Sequence, residues 1–77
     1  MSCTNSAVLI DEFVTVAGVV YEVIIYKPNT ILQTNLVKVI RDGTTFWTGT
    51  IATSLIPTGL SDYDTAVVIL DTLLQVH

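Results

Sequence analysis

Leu36-Val37-Lys38-Val39-Ile40-Arg41-Asp42-Gly43-Thr44-Thr45-Phe46-Trp47-Thr48-Gly49-Thr50-Ile51-Ala52 carries the clearest structural signal in the chain. Two runs rich in β-branched residues flank Asp42-Gly43, a strong short-range hairpin signal. Both turn residues tolerate the positive φ of a type I′ turn, whose twist matches that of the flanking strands. With Asp42-Gly43 as a two-residue loop, Arg41 faces Thr44, Ile40 faces Thr45, Val39 faces Phe46 and Lys38 faces Trp47. That register assigns Val37, Val39 and Phe46 to a core side, under a covering element. Leu36, Lys38, Ile40 and Trp47 fall on the opposite side. Lys38 beside Trp47 is then a cross-strand cation–π pair, worth about 0.5–1 kcal/mol at an exposed site. Tryptophan near a cation is also a frequent interface anchor.

Upstream of the hairpin, the run 7–16 carries Val8, Ile10, Val14 and Val16 on one strand face, with Glu12 out of place among them. Residues 7–13 also fit a helix, but Val14-Thr15-Val16 favours a strand. Ala17-Gly18 turns the chain into 19–27, where both alternating faces are largely apolar, as in a strand buried on both sides. The same turn places Thr15 opposite Val20, Phe13 opposite Glu22 and Glu12 opposite Val23. Lys27-Pro28-Asn29-Thr30 reads as a turn. Residues 31–41 read as one long strand, with a bulge or break at Gln33-Thr34-Asn35.

Downstream, Pro57 cannot join a central strand and Gly59 frees the chain to turn, so 53–60 is a connector. Ser61 is a candidate cap, and Asp62 and Asp64 suit the positive end of a helix dipole. Over 61–76, Tyr63, Ala66, Val67, Leu70, Leu73 and Leu74 form one helical stripe, opposed by Asp64, Thr65, Asp71, Thr72 and Gln75. Ile69 and Val76 widen the apolar side. The expected architecture is therefore α+β: an antiparallel four-stranded meander with one C-terminal helix packed on one face, in two layers. It makes a single small domain, with residues 1–6 as an N-terminal arm and 7–52 as the sheet.

One helix covers one side of such a sheet, which leaves apolar groups on the other. Composition sharpens the point. Hydrophobic residues make up 51% of the 77 and charged ones only 13%, against about 25% charged in ordinary domains. A chain this short has a thin stability margin and needs a staple or a partner. Cys3 is the only cysteine and His77 the only histidine, so neither an intrachain disulfide nor a Cys/His zinc site is expected.

No constellation for chemistry emerges. Asp62-x-Asp64 lacks the glycine-turned loop and the further acids of a Ca²⁺ site. Asp11 and Glu12 are adjacent on a strand and point to opposite faces, and no acid directly opposes another in the expected register. Cys3 and His77 read as an ordinary thiol and a solvated terminal residue. No phosphate loop, dinucleotide fingerprint or nucleophile elbow is present. The net charge of −4 disfavours nucleic acid. Asp11, Glu12 and Glu22 interrupt the apolar run 7–26, which argues against a membrane span.

The expectation is a non-enzymatic structural or interaction protein without cofactor, metal or small-molecule substrate. It would act as a homo-oligomeric or assembly-bound subunit, for example a capsid- or tail-associated virion component, in the cytoplasm or the virion. The competing expectation is a small acidic regulator or inhibitor, such as an anti-defence protein, docking on one host protein through the open sheet face. The contact residues expected are Trp47, Lys38, Ile40, Leu36, Ile69 and Val76.

Overall fold

A computed structural model describes residues 7–76; the expected arm over 1–6, Cys3 and His77 lie outside the described residues. Among the described residues, β1 (Val8–Val16), β2 (Val19–Tyr26), β3 (Thr34–Arg41) and β4 (Thr44–Ala52) form one antiparallel sheet in chain order. The helix α1 (Asp62–Val76) packs on one face of it, chiefly over β1 and β2. This is the expected two-layer α+β meander with a C-terminal helix.

The two outer hairpins close through turns of the same kind. Asp42 (φ 53°) and Gly43 (φ 81°) both take left-handed backbone, and so do Ala17 (φ 52°) and Gly18 (φ 81°). Alanine gains nothing in that region and its Cβ is crowded there. Ala17→Asn is therefore expected to raise stability by about 0.5–1 kcal/mol. A chemical denaturation curve with an unchanged slope and a higher midpoint would show it.

The β1–β2 register is the one expected, with Thr15 opposite Val20, Phe13 opposite Glu22 and Glu12 opposite Val23. The β3–β4 register is not. Arg41 opposes Thr44 and Ile40 opposes Thr45, but the ladder then shifts, and Val39 opposes Trp47 while Lys38 opposes Thr48. Phe46 is the extra residue of a β-bulge. Phe46 and Trp47 consequently both pack against the core. The expected Lys38–Trp47 pair does not form. The cation–π contact belongs instead to Arg41, whose guanidinium carbon lies 4.6 Å from the Phe46 ring centre. Phe46 also meets Tyr21 edge to face at 5.9 Å.

Magnitudes explain the bulge. Half-burying an indole of roughly 200 Å² is worth about 2–3 kcal/mol at about 25 cal/mol per Å². A bulge gives up a ladder hydrogen bond worth about 1 kcal/mol. Burial wins. Gly49 makes the burial possible, because a Cβ there would fall 2.8 Å from Cζ2 of Trp47. The indole thus lies flat along β4 and covers the half of the sheet that α1 leaves open.

Four of the central side chains, Val23, Ile25, Val37 and Val39, are fully buried. Ala66, Ile69, Leu70 and Leu73 meet them from the helix. The helix is rotated relative to the expected stripe: Ile69 and Thr65 are buried, whereas Tyr63 is about half exposed. Thr65 can be buried cheaply because its hydroxyl donates to the Ser61 carbonyl at 2.9 Å. Ser61 caps as expected, its Oγ accepting the Asp64 N–H at 3.1 Å.

The long third strand is also corrected. Residues 31–33 are turn, and β3 begins at Thr34. Asn29 is responsible: its Oδ1 accepts the N–H groups of Ile31 and Leu32, both at 3.0 Å, while Gln33 takes a positive φ of 56°. Asn35 closes this end of the molecule. It is buried, its Nδ2 donates to the Tyr26 carbonyl at 2.7 Å, and its Oδ1 accepts the Thr53 hydroxyl at 2.6 Å.

Candidate interaction face

The pairing registers place the side chains of the helix-free face in rows that cross the sheet. One row runs Asp11, Ile24, Lys38, Thr48. The next runs Phe13, Glu22, Ile40, Thr45. Val20 follows beyond Phe13 and Glu22, and Leu36 with Thr50 lies on the other side of the Lys38 row. Strand alternation puts all of these opposite the fully buried Val23, Val37 and Val39. No α1 residue covers them.

The face is apolar around a small charged centre. Phe13 is 64% exposed, Val20 45% and Leu36 44%, values far above those of core residues of the same types. Asp11 and Glu22 come from neighbouring strands and are diagonal neighbours, close enough for their carboxyls to interact. The hydrogen bond with Asp11 pushes the Glu22 carboxyl above its ordinary value of 4.5; partial loss of water and the Asp11 charge push the same way, and Lys38 opposes them. A carboxyl raised by folding favours the native state most at low pH, and that contribution is lost as pH climbs through the raised value. Glu22→Gln is therefore expected to flatten the decline of stability from about pH 4.5 upward. Denaturation midpoints across that range, at low protein concentration, would read the effect, and an unchanged slope would refute it.

The expected contact residues divide. Leu36, Lys38 and Ile40 share the open face as expected. Trp47 lies on the helix side, moved there by the bulge, and Ile69 is buried in the core. Val76 is exposed, but at the end of α1, in the other layer. Phe13, Val20, Asp11 and Glu22 belong to the face and were not among the expected contacts. Their signal was present in the β1–β2 register, which already placed Phe13 opposite Glu22; the diagonal neighbour Asp11 needed only one further step.

Two other features stand apart from this face. Asn29 pins a loop whose tip carries Ile31, 90% exposed, and Leu32. Beside it lies an open concavity of about 670 Å³ lined by residues such as Pro28, Gln33, Thr34 and Ser54, none of them ionisable. Asp62 and Asp64 occupy the first turn of α1 and are exposed. Among the described residues no group of three or more His, Cys, Asp or Glu side chains converges as a metal site would require. No helix among them is long and apolar enough to cross a membrane. Comparison with known families, curated proteins and solved structures finds no match for this chain.

Proposed function

We propose that this chain is a non-enzymatic structural or interaction protein that works by association, as a homo-oligomeric or assembly-bound subunit. A capsid- or tail-associated virion component is one concrete form of that role. The observation that carries the reading is the helix-free sheet face, where Phe13, Val20 and Leu36 remain largely exposed. Apolar groups gathered on one surface of a chain with so few charges favour a protein partner over solvent. The test is the native mass of the chain across micromolar concentrations. Self-association is the expected result, and a concentration-independent monomer would overturn the homo-oligomeric form.

A second reading draws on the loop that Asn29 pins. A preorganised loop presenting Ile31 and Leu32 suits insertion into a groove of another protein, as an acidic regulator or inhibitor would require. A monomer whose Ile31→Ser variant no longer co-purifies a host protein would favour it.

A further inference from the structure

We infer that the occupant of the open sheet face is a second copy of this chain, stacked face to face so that Lys38 of each copy meets the Asp11–Glu22 pair of the other. The inference rests on the associative reading above and goes beyond it by naming partner, arrangement and control.

Charge placement points to the arrangement. The face carries its acids on β1 and β2 and its base on β3, separated by strand rather than mixed. Consider a two-fold axis running parallel to the strands between β2 and β3. It lays β3 of one copy over β2 of the other and keeps the rows aligned. Lys38 shares a row with Ile24 and Asp11. One copy's Lys38 therefore arrives above the other's Ile24, flanked by Asp11 on the next strand and Glu22 two residues away. Thr48, in the same row on β4, comes over Asp11 as a hydroxyl donor. Each contact occurs twice, as a closed two-fold interface requires. Stacked sheets lie about 10 Å apart, a gap that the lysine of one copy and the carboxylate side chains of the other close by reaching toward each other.

The edges point away from the alternative of strand addition. The register of β1 shifts between Val8 and Ile10, and that of β4 shifts at Phe46. β1 also turns Glu12 toward the helix side, opposite the buried Val23. Bulges and inward-pointing charges are the devices that blunt an edge strand. The face has none. Four strands about 4.8 Å apart and eight residues long at about 3.3 Å each present roughly 500 Å² in plan. Two copies stacked so would bury about 1,000 Å² or more, the lower bound for a specific interface.

The charged centre also couples stacking to protons. Two carboxylates and one ammonium leave each face one negative charge in excess, which is costly once water is removed. A proton on Glu22 cancels it, and the Asp11 carboxyl beside Glu22 already pushes the affinity of Glu22 for a proton upward. The other ionisable side chains bordering the face are Asp42, in the turn beside Glu22, and Tyr26 at the far end of β2. β4 contributes no ionisable side chain to it, and Arg41 lies against Phe46 on the other side. Association should therefore tighten as pH falls, by about tenfold per pH unit for each proton taken up.

Sedimentation equilibrium of the full chain tests all of this. The wild type is expected to dimerise more tightly as pH drops toward the carboxylate range. Lys38→Glu and Glu22→Lys are each expected to be monomeric at neutral pH, and an equimolar mixture of the two is expected to dimerise again. Circular dichroism of each variant reports whether it is folded. If either charge swap unfolds, Phe13→Ser and Thr48→Arg, both at exposed positions, are expected to give folded monomers. A wild type that associates, with variants that associate equally well, would overturn the face-to-face arrangement and leave the associative reading standing. An absence of any pH dependence would remove the proton-coupled part. A wild type monomeric at every pH would overturn the stacked dimer together with the homo-oligomeric form of the proposed function.

Discussion

Trp47→Ala is expected to destabilise the chain by about 2–4 kcal/mol, somewhat less than the 3–5 typical of fully buried tryptophans, because the indole is only half buried. That is a large share of the roughly 4–12 kcal/mol a domain of this size possesses. The reasoning starts at the bulge. With Phe46 as the extra residue, Trp47 opposes the fully buried Val39 and lies over Gly49, sealing the side of the core that α1 does not reach. Removing the indole would open Val37 and Val39 to water. Gly49→Val should act through the same contact from the opposite direction, since its side chain would occupy the space now filled by the indole. Urea denaturation followed by circular dichroism would check both. Trp47→Ala with unchanged stability but lost association would mean that the indole sits on the open face after all, in the register without a bulge.

Asn35→Ala carries the second large expected effect, about 2–3 kcal/mol. Its amide holds the Tyr26 carbonyl on β2 and the Thr53 hydroxyl just after β4, so one side chain ties the end of the second strand to the exit of the fourth. Deleting it leaves a buried carbonyl without its donor and opens a gap where the residue is 1% exposed. Because the same group supports the start of β3, the Asn29 loop should loosen as well. Amide hydrogen exchange would show faster exchange at Gln33 and Thr53, whose N–H groups bond to Asn29 and Gln33 carbonyls at 2.7 and 2.9 Å. In a double-mutant cycle, Asn35→Ala and Thr53→Val should be less than additive, since both remove the same bond. Full additivity would refute the link.

The parts of the fold that could be read in advance are those governed by short-range rules. Ala17-Gly18 and Asp42-Gly43 are two-residue loops, and such a loop sets the register of the strands it joins until something interrupts them. That is why the β1–β2 pairing was legible as far as Glu12 and Val23. The Ser61 cap and the start of α1 follow from local hydrogen bonding in the same way. The open face was partly legible too. Leu36, Lys38 and Ile40 share it because alternation along β3 is never broken.

What was not legible depended on the far side of the molecule. No local feature of Thr45-Phe46-Trp47 announces a bulge. Phe46 and Trp47 turn to the same side because Tyr21, Arg41, Val37 and Val39 wait there, brought from two other strands. The rotation of α1 toward Ile69 and Thr65 has the same origin, since an apolar surface wider than the sheet needs can dock in more than one orientation. The number and order of elements, the turns and the helix cap follow from local residue chemistry, because each depends on bonds within a few residues. Which face receives Trp47, and therefore what remains exposed for a partner, is set by packing between strands distant in the chain. That choice compares a lost ladder hydrogen bond with a buried indole, and the second quantity exists only once the strands have met.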